Sequence, residues 1–309
     1  MQDIPADLIS ILLLQSGYNT VVVMLGAAAL GAAAGTVGVF AMLRRRALVA
    51  DALAHATLPG VGFGFMIAVL LGFPGRSLGF LLGGAAITSL LAALSIQAIR
   101  TRTRLPEDTA IASVLATFFA LGIVLLSIIQ TLRTGGQAGL DIYLLGGTAG
   151  MLRSEAISLA VLSVFVALAV AALFKEFVLV SFDTEFAVTQ GYPVRLYDLA
   201  VVALILAVVV IGLRIVGLVL IVAMIVIPPA AARFWSNHAG RMTLISALIG
   251  AASAYVGAAI SAAQPDMPTG ALIVLTAFVM FSASVAFGTA RGLLPRYFGR
   301  HARAAAASS

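Results

Sequence analysis

Apolar stretches of about 18 to 25 residues recur along nearly the whole chain, each long enough to cross a hydrocarbon core of roughly 30 Å as a helix. Short clusters of arginine, glycine and proline separate them. The pattern predicts membrane helices at about 18–43, 47–72, 77–99, 108–131, 154–174, 196–212, 215–233, 242–263 and 270–290. A transmembrane β-barrel would alternate polar and apolar residues, and these stretches do not. The expected fold is all-α, a polytopic membrane helix bundle of about nine transmembrane helices, with eight as the alternative count, in one domain over residues 1–309.

Composition agrees with that solvent. Hydrophobic residues make up 62% of the 309 and charged ones only 10%, so the chain has more apolar surface than a soluble core could hide. The net charge of +6 does not point to nucleic acid, because the basic residues form separate clusters between spans rather than one continuous face. They read as topology signals instead. With the N-terminus outside, fourteen of the eighteen basic residues fall on the cytoplasmic side, including Arg44, Arg45, Arg46, Arg100, Arg102, Arg104, Lys175, Arg195, Arg233 and Arg291. Only Arg76, Arg133, Arg153 and Arg214 fall outside or within the bilayer, as the positive-inside rule requires. The absence of cysteine excludes disulfides and thiolate metal sites. Residues 1–15 lack a basic n-region and a small-residue cleavage site, and are expected to be retained as an interfacial helix.

Three stretches depart from plain spans. The glycine-rich segment 134–150 is too short to cross and is expected to be re-entrant or interfacial on the outer side. Residues 183–190 read as a short cytoplasmic helix, N-capped by Asp183 or Thr184 and stopped by Gly191 and Pro193. Residues 264–270 read as a tight outer loop. The many glycines and alanines within spans are assigned to close helix packing, with no ligand role.

The most informative chemistry lies in residues 43–66, LRRRALVADALAHATLPGVGFGFM. Counted from Arg46 at about 1.5 Å per residue, Asp51 lies roughly 7 Å and His55 roughly 13 Å into the helix, close to the bilayer midplane. Their i, i+4 spacing places both on one helix face. Pro59 has no N–H, so the His55 carbonyl loses its helical donor and becomes a third free oxygen-or-nitrogen group. Carboxylate, imidazole and carbonyl together suit a divalent first-row metal. The pair either holds the bundle in register or lines a pathway, and intramembrane ionisable residues favour the second. Neutral imidazole is the ligand form, so transport is expected to fail as the histidine protonates.

Other residues carry weaker signals. Pro228 and Pro229 either kink the seventh span as a gate or simply end it. Glu107 and Asp108 suit the positive N-terminus of the fourth span. Asp141, Glu155 and Asp266 either attract cations at the outer mouth or are solvated loop charges, and Arg214 either snorkels or pairs with an acid. His238 and His301 are expected to be solvated. The chain has no phosphate-binding loop and no nucleophile beside a base, so it is expected to be no enzyme. Its energy must come from elsewhere, and a gradient-driven secondary transporter with Asp51 and His55 as proton relays is the alternative.

The stretches RRRALVADALAHATLPGVGFGF, GGQAGLDIYLLGG, DTEFAVTQGYPVR, LRIVGLVLIVAMIVIPPAAAR and MPTGALIVL, in that order, resemble the permease subunits of ABC-type zinc, manganese and iron importers, in the vitamin-B12-permease-like (type II) group. The resemblance implies a multi-pass protein of a bacterial inner membrane, working with cytoplasmic ATPase subunits, a second permease copy or homologous permease, and an extracytoplasmic metal-binding protein. It implies no tightly bound cofactor, a divalent ion (Mn, Zn or Fe) as cargo, Asp51 and His55 on the ion pathway, and an ATPase-coupling helix carrying Asp183, Glu185 and Gly191. Pro59, Pro228 and Pro229 would mark helix breaks, and residues 292–309 a basic cytoplasmic tail. Departures from the family pattern at Ala50 and Ala54 leave the proposed ligands intact, whereas that at Leu145–Gly147 leaves the subfamily, and hence the metal, open.

Overall fold

The computed structural model describes residues 4–44, 46–75, 77–131, 147–264 and 267–293, and among these every regular element is helical. In chain order the helices are α1 (Ile4–Leu12), α2 (Tyr18–Leu43), α3 (Ala47–Leu70), α4 (Leu78–Arg102), α5 (Glu107–Thr131) and α6 (Arg153–Ala172). Then come α7 (Phe174–Phe182), α8 (Thr184–Thr189), α9 (Val194–Val216), α10 (Leu218–Ala232), α11 (Ala239–Ala263) and α12 (Thr269–Phe287). Eight are long and apolar enough to cross a membrane: α2 to α6, α9, α11 and α12. The ninth apolar helix, α10, has 15 residues, so it is about 22 Å long and falls short of a full hydrocarbon core. The predicted 215–233 span is shortened because α9 runs on to Val216 and the chain breaks only at Gly217, whose φ of +83° is open to glycine at little cost. That break frees the Ile215 carbonyl, which accepts from the Gly147 N–H at 3.2 Å.

Helices α2 and α3 sit inside the bundle, with 72% and 67% of their apolar windows buried, against 17% for α12. They are not the most hydrophobic spans. In lipid the outward faces can be fully apolar, so what selects the centre is the ability to pack closely, which small residues provide. The backbones of α2 and α11 touch at Gly31 and Gly250: a Cβ on either glycine would strike the carbonyl of the other. Gly60 of α3 and Gly84 of α4 repeat the arrangement. Gly38 of α2 rests on the Ile225 carbonyl, the group that Pro229 leaves without its helical N–H donor. The glycines therefore serve packing, as expected.

Of the short helices α1 and α7, only α7 is not evident from the sequence as a separate element. α1 lies where an N-terminal helix was predicted and packs on α11, where the Tyr255 hydroxyl donates to the Leu12 carbonyl at 2.6 Å. α7 continues the fifth span past Leu173, and the rings of Phe174 and Phe177 pack on Phe40 of α2 at 6.0 and 5.3 Å. Of the predicted 134–150 segment, only 147–150 is described, as a 3-10 turn tied to α2 by Asn19, which donates to the Ala149 carbonyl. Arg45, Arg76, Arg133, Asp141, Asp266, His301, residues 294–309 and the side chain of Arg214 lie outside the described residues.

Candidate functional site

α3 is buried on nearly every face. In its first half the residues that are not are Ala47, Leu48, Asp51 and His55, the last three at spacings of three and four that form one stripe, continued by Phe63, Met66 and Ile67. The proposed ligands thus lie on the open stripe of the helix, with side-chain exposures of 33% for Asp51 and 20% for His55. His55 Nε2 is 3.4 Å from Asp51 Oδ1. Phe119 of α5 walls the imidazole edge-on at a centroid distance of 4.8 Å, while His55 Nδ1 is buried with no hydrogen-bond partner. A buried imidazole nitrogen without a partner costs free energy unless some group completes it. Among the described residues no cluster of three or more His, Cys, Asp or Glu could hold a metal, so within one chain the pair stands as two ligands.

The backbone around the pair is modified by Pro59, which lies within continuous helix. Gly122 of α5 approaches this turn so closely that a Cβ there would meet Pro59 and Leu58. Side-chain hydroxyls supply extra donors nearby: Ser89 to the Leu53 carbonyl at 2.9 Å and Thr57 to the Ala54 carbonyl at 2.6 Å. Pro228 and Pro229 lie inside α10, one turn before its end, so the helix passes through them and stops at Arg233.

The predicted 183–190 helix is α8, and its caps follow the sequence. Asp183 is the N-cap and accepts from the Phe186 N–H at 2.9 Å. At the other end Gly191 takes a φ of +81°, with Gly191 N–H donating to the Val188 carbonyl and Tyr192 N–H to the Ala187 carbonyl. That pair of bonds is a Schellman stop. α8 buries Ala187 and exposes Glu185, Phe186 and Val188. A Gly191→Val variant is expected to lose about 1–2 kcal/mol locally, the cost of the left-handed conformation for an L side chain. Hydrogen exchange by mass spectrometry should show faster exchange over 184–192 with the transmembrane helices unchanged; unaltered exchange would refute the role of the positive φ.

Beside α8 lies an ion network that sequence reading missed. Arg44 and Arg46, read as topology signals, turn inward with side-chain exposures of 12% and 5%. Asp198 of α9, not singled out from sequence, receives Arg44 on Oδ1 and Arg46 on Oδ2, the latter at 3.0 Å. Arg46 Nε also pairs with Glu107 at 3.0 Å, and Arg100 with Glu107 at 3.4 Å. Glu107 is therefore an ion partner of two arginines as well as a first-turn acid of α5. The available signal is a lone carboxylate at the start of an apolar span, three residues after Arg195. At the far end of the bundle Glu155 accepts from the Leu152 N–H at 3.0 Å, in the capping position of α6; His238, in the loop before α11, is exposed.

Residues 17–288 match the sequence profile of the ABC 3 transport family. The chain is similar to the manganese transport system membrane protein MntC of Bacillus subtilis, 40% identical over 276 residues, a stretch covering 89% of this chain and 62% of that relative. It is 34% identical over 279 residues to the zinc transport system membrane protein TroC of Treponema pallidum, covering 90% of this chain and 92% of that one. Among solved structures it resembles PsaBC from Streptococcus pneumoniae in complex with Fab, with a TM-score of 0.74 at 30% identity, covering 88% of this chain and 92% of that one.

Proposed function

The chain belongs to the ABC 3 transport family, and from that premise we propose that it is the transmembrane permease subunit of an ATP-driven divalent metal importer, for manganese, zinc or iron, and forms the translocation pathway. The observation that carries the reading is the Asp51–His55 pair, one and two turns into a helix long and apolar enough to cross a membrane, yet on the open stripe of α3. Ionisable side chains at that depth are costly against lipid. A second permease copy, or a homologous one, facing this stripe would shield them and add ligands around the ion. Two ligands per chain suit a site that must release its cargo.

ATP hydrolysis belongs to separate cytoplasmic ATPase subunits, which dock on α8 through its exposed Glu185, Phe186 and Val188. An extracytoplasmic metal-binding protein delivers the ion. The protein sits in a bacterial inner membrane with its N-terminus outside and its C-terminus in the cytoplasm. The family match disfavours the gradient-driven alternative. Cells lacking the chain are expected to hold less of one of the three metals, and metal-content measurement with and without the chain identifies which. An ATPase should co-purify with the wild-type chain and be lost when Glu185 and Gly191 are both replaced. Retention of the ATPase in that variant would remove α8 as the docking element.

A further inference from the structure

α8 is short and thinly attached, six residues packed against α7 and α9. Arg44 ties it to the rest of the bundle. Its Nη1 donates to the Val180 carbonyl at the end of α7 at 2.6 Å and to the Thr184 hydroxyl, the first residue of α8, at 3.1 Å. Its Nη2 holds Asp198 Oδ1, and the other oxygen of the same carboxylate holds Arg46. Arg46 is the N-cap residue of α3, so Asp51 and His55 follow it on the same helix. An unbroken chain of charged groups thus runs from the start of α8 through Arg44, Asp198 and Arg46 to the start of the helix that carries the candidate ligands.

Burying these charges costs desolvation that an apolar contact of similar volume would avoid, so cohesion alone is a poor reason for them. What the arrangement supplies is direction. A guanidinium is a planar fork, and one whose two arms grip α8 and Asp198 fixes the angle between them. We propose that Arg44, Asp198 and Arg46 are positioning residues that transmit displacement of α8 to α3, and so set how strictly ATP hydrolysis is coupled to ion movement. The inference rests on the permease reading above. Its specific content is that loosening the clamp leaves docking and hydrolysis intact while the ion fails to move with each cycle.

The test uses the complete complex of permease and ATPase in proteoliposomes, with Mn²⁺ (and Zn²⁺ and Fe²⁺ in parallel) as the probe, recording ions accumulated per phosphate released. Asp198→Asn keeps the shape and removes the charge shared by both arginines; Arg44→Lys keeps the charge and removes the fork. Each is expected to lower the ions moved per ATP about tenfold, an ordinary coupling energy, with ATPase recovery and thermal midpoint near wild type. A wild-type ratio in either assembled variant would overturn the clamp, and so would failure of both variants to assemble, which would make the network a folding element. If wild type itself accumulates none of the three ions or retains no ATPase, it is the permease reading that fails.

Discussion

Replacing His55 with Ala is expected to abolish metal uptake while the protein still accumulates in the membrane at its normal level. The change removes one of the two candidate ligands on α3, and with it the nitrogen that is buried without a partner. Disturbing a mere support of a metal ligand costs about 10–100-fold in metal affinity, so losing the ligand should exceed that. The fold should tolerate the truncation, because the imidazole is partly exposed and touches Phe119 and Asp51 rather than anchoring a second helix by a hydrogen bond. Asp51→Asn should behave similarly, since the amide keeps the volume but supplies no charge for a divalent ion. Uptake of radioactive metal by cells that depend on this chain, set against its abundance by immunoblot, separates the outcomes. Unchanged uptake in His55→Ala would sink the assignment, whereas loss of both uptake and abundance would assign the pair to holding the bundle together.

Gly31→Val is expected to damage the bundle itself. Its Cβ would meet the Gly250 carbonyl and the Met224 methyl, and Gly250 has the same relation to the Gly31 carbonyl. Backbone cannot rotate away as a long side chain can. The helices α2 and α11 would have to separate along the whole contact. Overpacking of this kind costs about 1–3 kcal/mol and more where nothing can yield, which in a membrane protein should appear as aggregation in detergent and a lowered thermal midpoint. Gly83→Val on α4 is the matched control, since nothing lies within 4 Å of a Cβ at that position. Equal stability of the two variants would mean that the reciprocal glycine contact does not hold α2 to α11. Because the contact of Gly31 is between α2 and α11, whereas Asp51 and His55 are on α3, the experiment tests packing without replacing the candidate ligands.

Much of this molecule is legible along the chain because lipid imposes one-dimensional rules. A span must be apolar for a fixed length, and that locates α2 to α6, α9, α11 and α12 to within a few residues. The caps of α8 are equally local: Asp183 bonds an amide three residues on, and the bonds that close at Gly191 come from its own turn. The pairing of Asp51 with His55 follows from helical periodicity alone. Even the short α10 had a local cause, the single Gly217, but hydropathy runs straight through it and hides the break.

What the tertiary structure decided is everything that joins distant residues. Arg44 and Asp198 are 154 positions apart and Arg46 and Glu107 are 61 apart, and no periodicity links them. Each arginine, read singly, is a charge beside a membrane span, for which the positive-inside rule is a sufficient explanation. Only when α2, α3, α5 and α9 meet at one end do these charges find one another. The same holds for which spans lie at the centre. Hydropathy ranks helices by affinity for lipid, whereas α2 and α3 are central because their glycines and alanines admit another backbone. Sequence therefore determined that this chain spans a membrane as a helical bundle and which residue pair could meet an ion, both consequences of local chemistry. Structure decided that the pair lies on the one open stripe of a buried helix and that a buried ion network ends at the start of that helix, because burial and long-range charge pairing exist only once the helices are assembled.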